Sequence, residues 1–255
     1  MADDASILPS EERLAASFAA ATPFAPLPAM ADRFAWGQLS SGARGAARLA
    51  QVDRHVAACR HEPWPTLSAE AYADFGRNGD RVGYETPYLA RRRRLAWTAL
   101  ALAMRPEDST TTAIWDELRH GVDLLLLETT WCLPAHAHMH PDGDLQPGAA
   151  PDPARPVVDL FASDTAAQLA ELAYLAGDAL DADGGQRHAA IAAAVRQRVI
   201  EPVLARDDWW WLQVTHNWNP WCAAMTMLAA SHLEPDARRL ARLAIRLETA
   251  VRRYI

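Results

Sequence analysis

Three observations predict an all-α fold for this chain of 255 residues. Apolar residues recur near the helical period of 3.6 through most of the sequence. Strict period-two alternation is absent and β-branched residues are few, so the sequence predicts no strand. Proline-rich breaks separate the helical stretches, and consecutive helices joined by short turns favour antiparallel hairpins. We therefore predict a domain of about eight or more helices.

The first half of the chain supplies four helices between these breaks. Ser10 is a suitable N-cap for the first helix, and this helix ends at the prolines of ATPFAPLPAM. A second stretch has apolar residues at helical spacing up to Ala57. The segment HEPWPTLSAEAYADFGRNGDRVGYETPY is predicted to be irregular because of its prolines and turn formers. Helices then follow in YLARRRRLAWTALALAMR and TTTAIWDELRHGVDLLLLETTW. The second of these carries an apolar stripe at Ile114, Leu118, Val122, Leu125 and Leu126.

The second half is predicted to begin with a long loop from Leu133 to Pro156, which holds six prolines. Helices follow in VVDLFASDTAAQLAELAYLAGDAL and in GGQRHAAIAAAVRQRVIEPVLA, the latter as far as about Pro202. CAAMTMLAASHL is helical, and Pro235 suits the start of a last helix that runs to the end.

Composition excludes several classes of function. The formal net charge is -7 and every one of the 25 basic residues is Arg, without the concentrated basic face that nucleic acid requires. The sequence contains no run of 18 apolar residues, so it predicts no membrane span. The first residues are acidic and do not resemble a secretory signal. Three widely spaced cysteines do not make a disulfide framework. The expected location is the cytoplasm.

The segment WWWLQVTHNWNPWC, from Trp209 to Cys222, is the most unusual stretch and holds five of the ten tryptophans. Flat apolar indole faces beside amide donors suit the C–H faces and hydroxyls of a sugar. His216, Asn217 and Asn219 supply those polar groups. In the alternative, the indoles close a core and Asn219-Pro220 starts a helix.

A second segment, PAHAHMHPDGD, carries His136, His138 and His140. Alternate histidines suit a zinc site only if the segment is extended, and the fourth ligand is a guess among Cys132, Asp142 and Asp144. The alternatives are a solvated loop, or a His136 that lines the same cleft as His216. A faint similarity of order between this segment and the tryptophan-rich one, both following a helix, predicts that the two loops lie on one side of stacked helix pairs and face a shared cavity.

Two charged features have ordinary interpretations. The quartet Arg91 to Arg94 is expected to form a solvated helix face, although one member could bind an acidic substrate bidentately. Glu128 ends an apolar helix next to Trp131, where we expect an ion pair with an arginine, or else a carboxyl whose pKa burial raises.

Four segments in order resemble heparinase II/III-like proteins, which are similar to bacterial polysaccharide lyases. The resemblance runs from about residue 60 to the C-terminus, and NWNPWC is its most specific part. The four segments are Trp64–Leu95, Glu128–His136, Val157–Leu180 and His216–Cys222.

The resemblance implies an incomplete (α/α) toroid of antiparallel helix hairpins and β-elimination on a polysaccharide that contains uronic acid. It makes residues 1–60 an N-terminal helical extension and residues 61–255 the toroid domain. An acidic oligosaccharide or polysaccharide is the implied partner, with no cofactor and no metal. The implied catalytic residues are Asn217, Asn219 and His216, and the implied substrate-binding residues are Trp131, His136, Trp211, Trp218 and Trp221.

The family pattern continues beyond Ile255 to a proton-abstracting tyrosine and a C-terminal β-sandwich, neither of which is expected within this chain. The chain is therefore expected to be a lyase half that is inactive or incomplete alone. We also expect the apolar face of the last helix to be exposed unless a second copy or a missing C-terminal half covers it. That face consists of Leu240, Leu243, Ala244, Leu247 and Val251.

Two alternative functions remain open. One is a non-catalytic helical module that binds carbohydrate or another protein. The other is a metal-dependent hydrolase built on His136, His138 and His140.

Overall fold

The chain is all-α in a computed structural model that describes residues 8–143 and 149–255, and none of these residues lies in a strand. The α-helices are α1 Glu11–Ala20, α2 Arg33–Ser40, α3 Gly42–Cys59, α4 Ala69–Asn78, α5 Val82–Met104, α6 Thr111–Leu127, α7 Leu160–Ala176, α8 Arg187–Val195, α9 Glu201–Ala205, α10 Trp210–Gln213, α11 Trp218–Leu233 and α12 Ala237–Arg252. Two 3-10 segments, Pro134–Met139 and Gly177–Asp181, and one π-helical turn, Arg196–Ile200, complete the regular structure.

The chain divides into two compact units. Unit 1 comprises Met1–Phe24, Thr129–Glu171 and Ala192–Ile255, and unit 2 comprises Ala25–Glu128 and Leu172–Ile191. The predicted boundary between residues 60 and 61 stays a prediction.

Unit 2 is built around α5, which packs against α3 and α6. The predicted stripe on α6 is confirmed at its centre, where Leu118, Val122 and Leu125 have no exposed surface. The prediction of an irregular segment from His61 to Tyr88 is wrong in part, because α4 lies within it and α5 already begins at Val82. Ser68 caps α4 by accepting from the Ala71 N–H, and Gly79 ends it with a left-handed φ of 80°.

The predicted solvated face of the arginine quartet is also wrong. Arg91, Arg92 and Arg94 are 7–8% exposed, and only Arg93 faces solvent. Arg91 Nη1 and Arg92 Nη2 lie 3.2 and 2.7 Å from the two carboxylate oxygens of Glu128. The expected ion pair of Glu128 is therefore confirmed, with two arginines sharing one buried carboxylate.

Unit 1 contains the last helix, and its apolar face is covered in part. Leu243 and Leu247 are buried, because α1 and α11 both pack on α12. The expectation of an exposed face on α12 is wrong in part, because Leu243 and Leu247 are buried whereas Leu240, Ala244 and Val251 are partly exposed. Asp236 begins α12 by accepting from two backbone N–H groups.

Candidate functional site

The tryptophan-rich segment folds as the short helix α10, a turn, and the start of α11, all in unit 1. Trp209 and Trp211 point inward, with 1% and 2% exposure. Their indole N–H groups donate to the carbonyls of Pro202 and Val158 at 3.0 and 2.8 Å. Trp211, predicted to bind substrate, therefore has no face open to a ligand and serves the packing of unit 1.

Trp210 and Trp221 face the other way and keep 39% and 50% of their surface exposed. The indole N–H of Trp221 donates to Oδ1 of Asp164 at 2.7 Å, which fixes the orientation of an otherwise open ring. Such half-exposed indoles offer flat apolar area at the surface. The segment thus divides into buried indoles that anchor it and exposed ones that can meet a ligand.

Trp218 lies at the centre of an aromatic cluster that joins the two histidine-bearing segments. Its ring centroid is 5.5 Å from that of Trp210, 6.4 Å from that of His216 and 4.6 Å from that of His136. Phe161 stacks on the remaining side of this group, 5.7 Å from His136. The two histidine-bearing segments are therefore in contact through these rings, and the shared cavity stays a prediction. We call Trp210, His216, Trp218, His136 and Phe161 the aromatic cluster.

His136 is held by Asp159, a residue that sequence reasoning did not select. Nδ1 of His136 lies 2.7 Å from Oδ2 of Asp159, and both side chains are buried. The same carboxylate accepts from the Ala162 N–H at 2.7 Å and the Leu133 N–H at 3.3 Å, so it also caps α7. An aspartate immediately before a helical run was the available signal.

This arrangement fixes the chemistry of His136. A proton on Nδ1 satisfies the carboxylate, which leaves the lone pair on Nε2 to accept a proton. Nε2 has no hydrogen-bond partner among the described residues, and the side chain keeps 11% of its surface exposed. His136 and Asp159 therefore have the geometry of an oriented general base.

The two predicted asparagines occupy different environments. Asn217 is exposed, and its side chain makes no hydrogen bond with any described residue, although it stands at the N-cap of α11. Asn219 has no exposed surface, and its Nδ2 donates to the Ala250 carbonyl at 2.7 Å. The amide of Asn219 thus ties α11 to α12, and a catalytic role for it finds no support in this geometry.

His216 is exposed, and its Nδ1 accepts from the Trp218 backbone N–H at 3.3 Å. In the neutral imidazole the proton therefore sits on Nε2, which becomes a donor at the surface. His216 and Asn217 together present two adjacent donors beside Trp210, whose ring centroid is 5.2 Å from that of His216.

The remaining predicted ligands do not converge. His138 is exposed, whereas His140 is buried edge-on to Trp209, with ring centroids 5.7 Å apart. Burial lowers the pKa of His140, and the nearby Asp142 carboxylate offsets part of that effect. Within residues 8–143 and 149–255 no three candidate ligands come together to hold a metal, and Asp144 lies outside those ranges.

Trp131, predicted to bind substrate, is 1% exposed and lies under the guanidinium of Arg198, with 4.6 Å between Cζ and the ring centroid. It belongs to the core of unit 1. The adjacent thiol of Cys132 is also buried, and burial raises its pKa well above the usual range, reinforced by the charge of Asp159. Burial does the same for Cys222. Neither thiol is therefore an activated nucleophile.

Comparison with protein-family models and with curated proteins finds no match for this chain. Among the described residues, no helix combines the length and apolar character needed to cross a lipid bilayer.

Proposed function

We propose that this chain is the helical, substrate-cleft part of a lyase that cleaves uronic-acid-containing polysaccharide by β-elimination, and that His136 serves as its base in place of the tyrosine expected beyond Ile255. The proposal includes an incomplete (α/α) toroid formed by helix hairpins such as α5 with α6 and α11 with α12, whose members pack on each other. One observation supports it most strongly. Asp159 orients the imidazole of His136, and the ring centroid of His136 lies 4.6 Å from that of Trp218. Trp218 in turn lies beside the exposed His216 and the exposed indole of Trp210.

The chemistry assigns a role to each group. A uronate loses the proton next to its carboxylate, and the electron pair left behind forms a double bond as the glycosidic oxygen departs with its bonding electrons. Nε2 of His136 takes that proton. The Asn217 amide donates to the substrate carboxylate and stabilises the charge that develops there. The imidazolium formed at His136 then returns this proton to the leaving oxygen, and Nε2–H of His216 donates a hydrogen bond beside it.

The exposed indoles of Trp210 and Trp221 supply the stacking surface for sugar rings. Since Asn219 is buried, the neutralising role that the resemblance shares between two asparagines falls on Asn217 alone. Trp131 and Trp211 have no place in the binding surface for the same reason.

The test is release of unsaturated uronate. The full chain is incubated with alginate or heparin, and ultraviolet absorbance of the new double bond is followed together with new reducing ends. His136→Gln is expected to lower the rate by about 10²–10⁴-fold, because a positioned base contributes about that much. His138→Gln, in the same 3-10 segment but exposed, is the matched control and should leave the rate unchanged.

A non-catalytic carbohydrate-binding module is the second candidate, and the burial of Asn219 favours it by removing one implied catalytic group. Binding of the same polysaccharides without turnover, weakened by Trp210→Ala, would select this function. If neither binding nor turnover occurs, both proposals fail.

A further inference from the structure

A cavity of about 200 Å³ lies between α3, α5 and α6 in unit 2. Its lining combines a stacked aromatic pair, aliphatic side chains and three guanidinium groups with a single carboxylate. The cavity belongs to a different unit from the aromatic cluster, and the proposed lyase function makes no use of it.

The apolar part of the lining suits a flat ligand. The imidazole of His55 stacks on the indole of Trp97 with 4.1 Å between centroids and 9° between planes. Val56 and Ile114 add aliphatic surface to the same lining. The stack places two flat aromatic rings in the lining of the cavity. Preformed apolar pockets with a few placed polar groups are the usual form of small-molecule sites.

The charged part of the lining has one free cation. The guanidinium of Arg94 already has partners, because its Nε lies 2.5 Å from Glu117 Oε1 and its Nη1 donates to two backbone carbonyls. Arg105 pairs with Asp53 and Asp108 at 3.3 Å each. The guanidinium of Arg60 is exposed and makes no hydrogen bond or ion pair with any described residue. Arg60 is therefore the group that can accept an anion without giving up a partner.

The volume limits the ligand to about one ring. An engineered apolar cavity of about 150 Å³ binds benzene, so about 200 Å³ holds a single ring and a small polar group. A cation is disfavoured, because the lining carries three guanidinium groups and only the Glu117 carboxylate.

We propose that this cavity binds a small aromatic carboxylate. The ring packs on Trp97, Val56 and Ile114, and the carboxylate pairs with Arg60.

The experiment is isothermal titration calorimetry of the full chain with three probes. Benzoate carries both features, benzamide keeps the ring without the charge, and acetate keeps the charge without the ring. Benzoate is expected to bind, benzamide to bind about two- to fivefold more weakly because an exposed ion pair is missing, and acetate at least about tenfold more weakly because the buried ring is missing.

Arg60→Gln should weaken benzoate about two- to fivefold and leave benzamide unchanged. Arg54→Gln is the matched control: it is an exposed arginine on α3 outside the cavity lining and should change neither. Trp97→Leu should weaken benzoate and benzamide together. If that variant does not fold, the Arg60 result still decides, because Arg60 is a surface residue.

Three results would overturn the proposal. They are no heat of binding from benzoate at millimolar concentration, equal benzoate affinity in Arg60→Gln and the unmodified chain, and acetate binding as tightly as benzoate.

Discussion

Oδ2 of Asp159 lies 2.7 Å from Nδ1 of His136, and this one carboxylate also receives the N–H groups of Leu133 and Ala162. It therefore joins the 3-10 segment to the first turn of α7. Asp159→Ala should lower the free energy of unfolding by about 2–4 kcal/mol, since it removes a helix cap and leaves buried donors unpaired. Urea denaturation followed by circular dichroism measures this change.

Asp152→Ala is the control for that variant, since Asp152 is exposed and its side chain accepts only from the Ala154 N–H, at 2.9 Å. The free energy of unfolding of Asp152→Ala should fall by less than about 1 kcal/mol. Equal losses in the two variants would show that Asp159 does not organise the site.

Glu128→Gln should destabilise the protein by about 3–5 kcal/mol, because it removes the buried carboxylate charge that Arg91 and Arg92 share. The same substitution at Glu85, whose partner Arg81 is exposed, should change the free energy of unfolding by about 0.5 kcal/mol or less. Urea unfolding of both variants tests the contrast, and a Glu128→Gln chain as stable as Glu85→Gln would contradict it.

Two glycine-to-alanine substitutions in helices should act in opposite directions. A Cβ at Gly121 would lie 2.5 Å from Cη2 of Trp64 and 2.9 Å from Cδ1 of Leu95, and overpacking of this kind costs about 1–3 kcal/mol. A Cβ at Gly37 meets nothing within 4 Å, so Gly37→Ala should stabilise the chain by about 0.5–1 kcal/mol. Thermal melts give the sign of each change; a stabilised Gly121→Ala would show that the Trp64 ring moves freely.

Acid should weaken the protein before its carboxylates are protonated. Burial lowers the pKa of His140 and of His232, so the folded chain binds fewer protons than the unfolded chain below about pH 6.5. Above pH 6.5 these two imidazoles are neutral, and the free energy of unfolding has its full value. It decreases as the pH falls toward the pKa values that the two groups have in the folded chain. The melting temperature should accordingly be lower at pH 5 than at pH 7.

His140→Phe keeps a ring against Trp209 and should reduce this difference, whereas His138→Phe, at an exposed position, should not. A melting temperature that rises between pH 7 and pH 5 would contradict the assignment of the two buried imidazoles.

The sequence predicted helices well where a local pattern decides the outcome. The stripe of Leu118, Val122 and Leu125 is confirmed, because apolar residues three and four positions apart lie on one helix face and that face is buried. The segment before α5 was predicted to be irregular because of its prolines and turn formers, whereas the Ser68 side chain caps α4 within it. Likewise α9 continues past Pro202 to Ala205, because this proline stands in the first turn after a π-helical turn, where its missing N–H is tolerated.

Predictions that needed a partner distant in sequence failed more often. The arginine quartet looked like a solvated face, since nothing in its own sequence shows that Glu128 lies against it. The face of α12 looked unpaired, since nothing near it shows that α1 covers it. At the candidate site, the meeting of the two histidine-bearing segments was predicted, but which indoles turn inward depends on contacts such as that of Trp211 with the Val158 carbonyl.

The packing of α1 on α12 has a consequence for synthesis. Every residue of unit 2 has left the ribosome once Ile191 emerges. The helix on which α1 packs, Ala237–Arg252, is synthesised only later. The nascent chain thus carries an amphipathic first helix without its native neighbour through most of translation. Contacts so far apart in sequence form slowly, so the packing of α1 on α12 is expected to be a late step of folding.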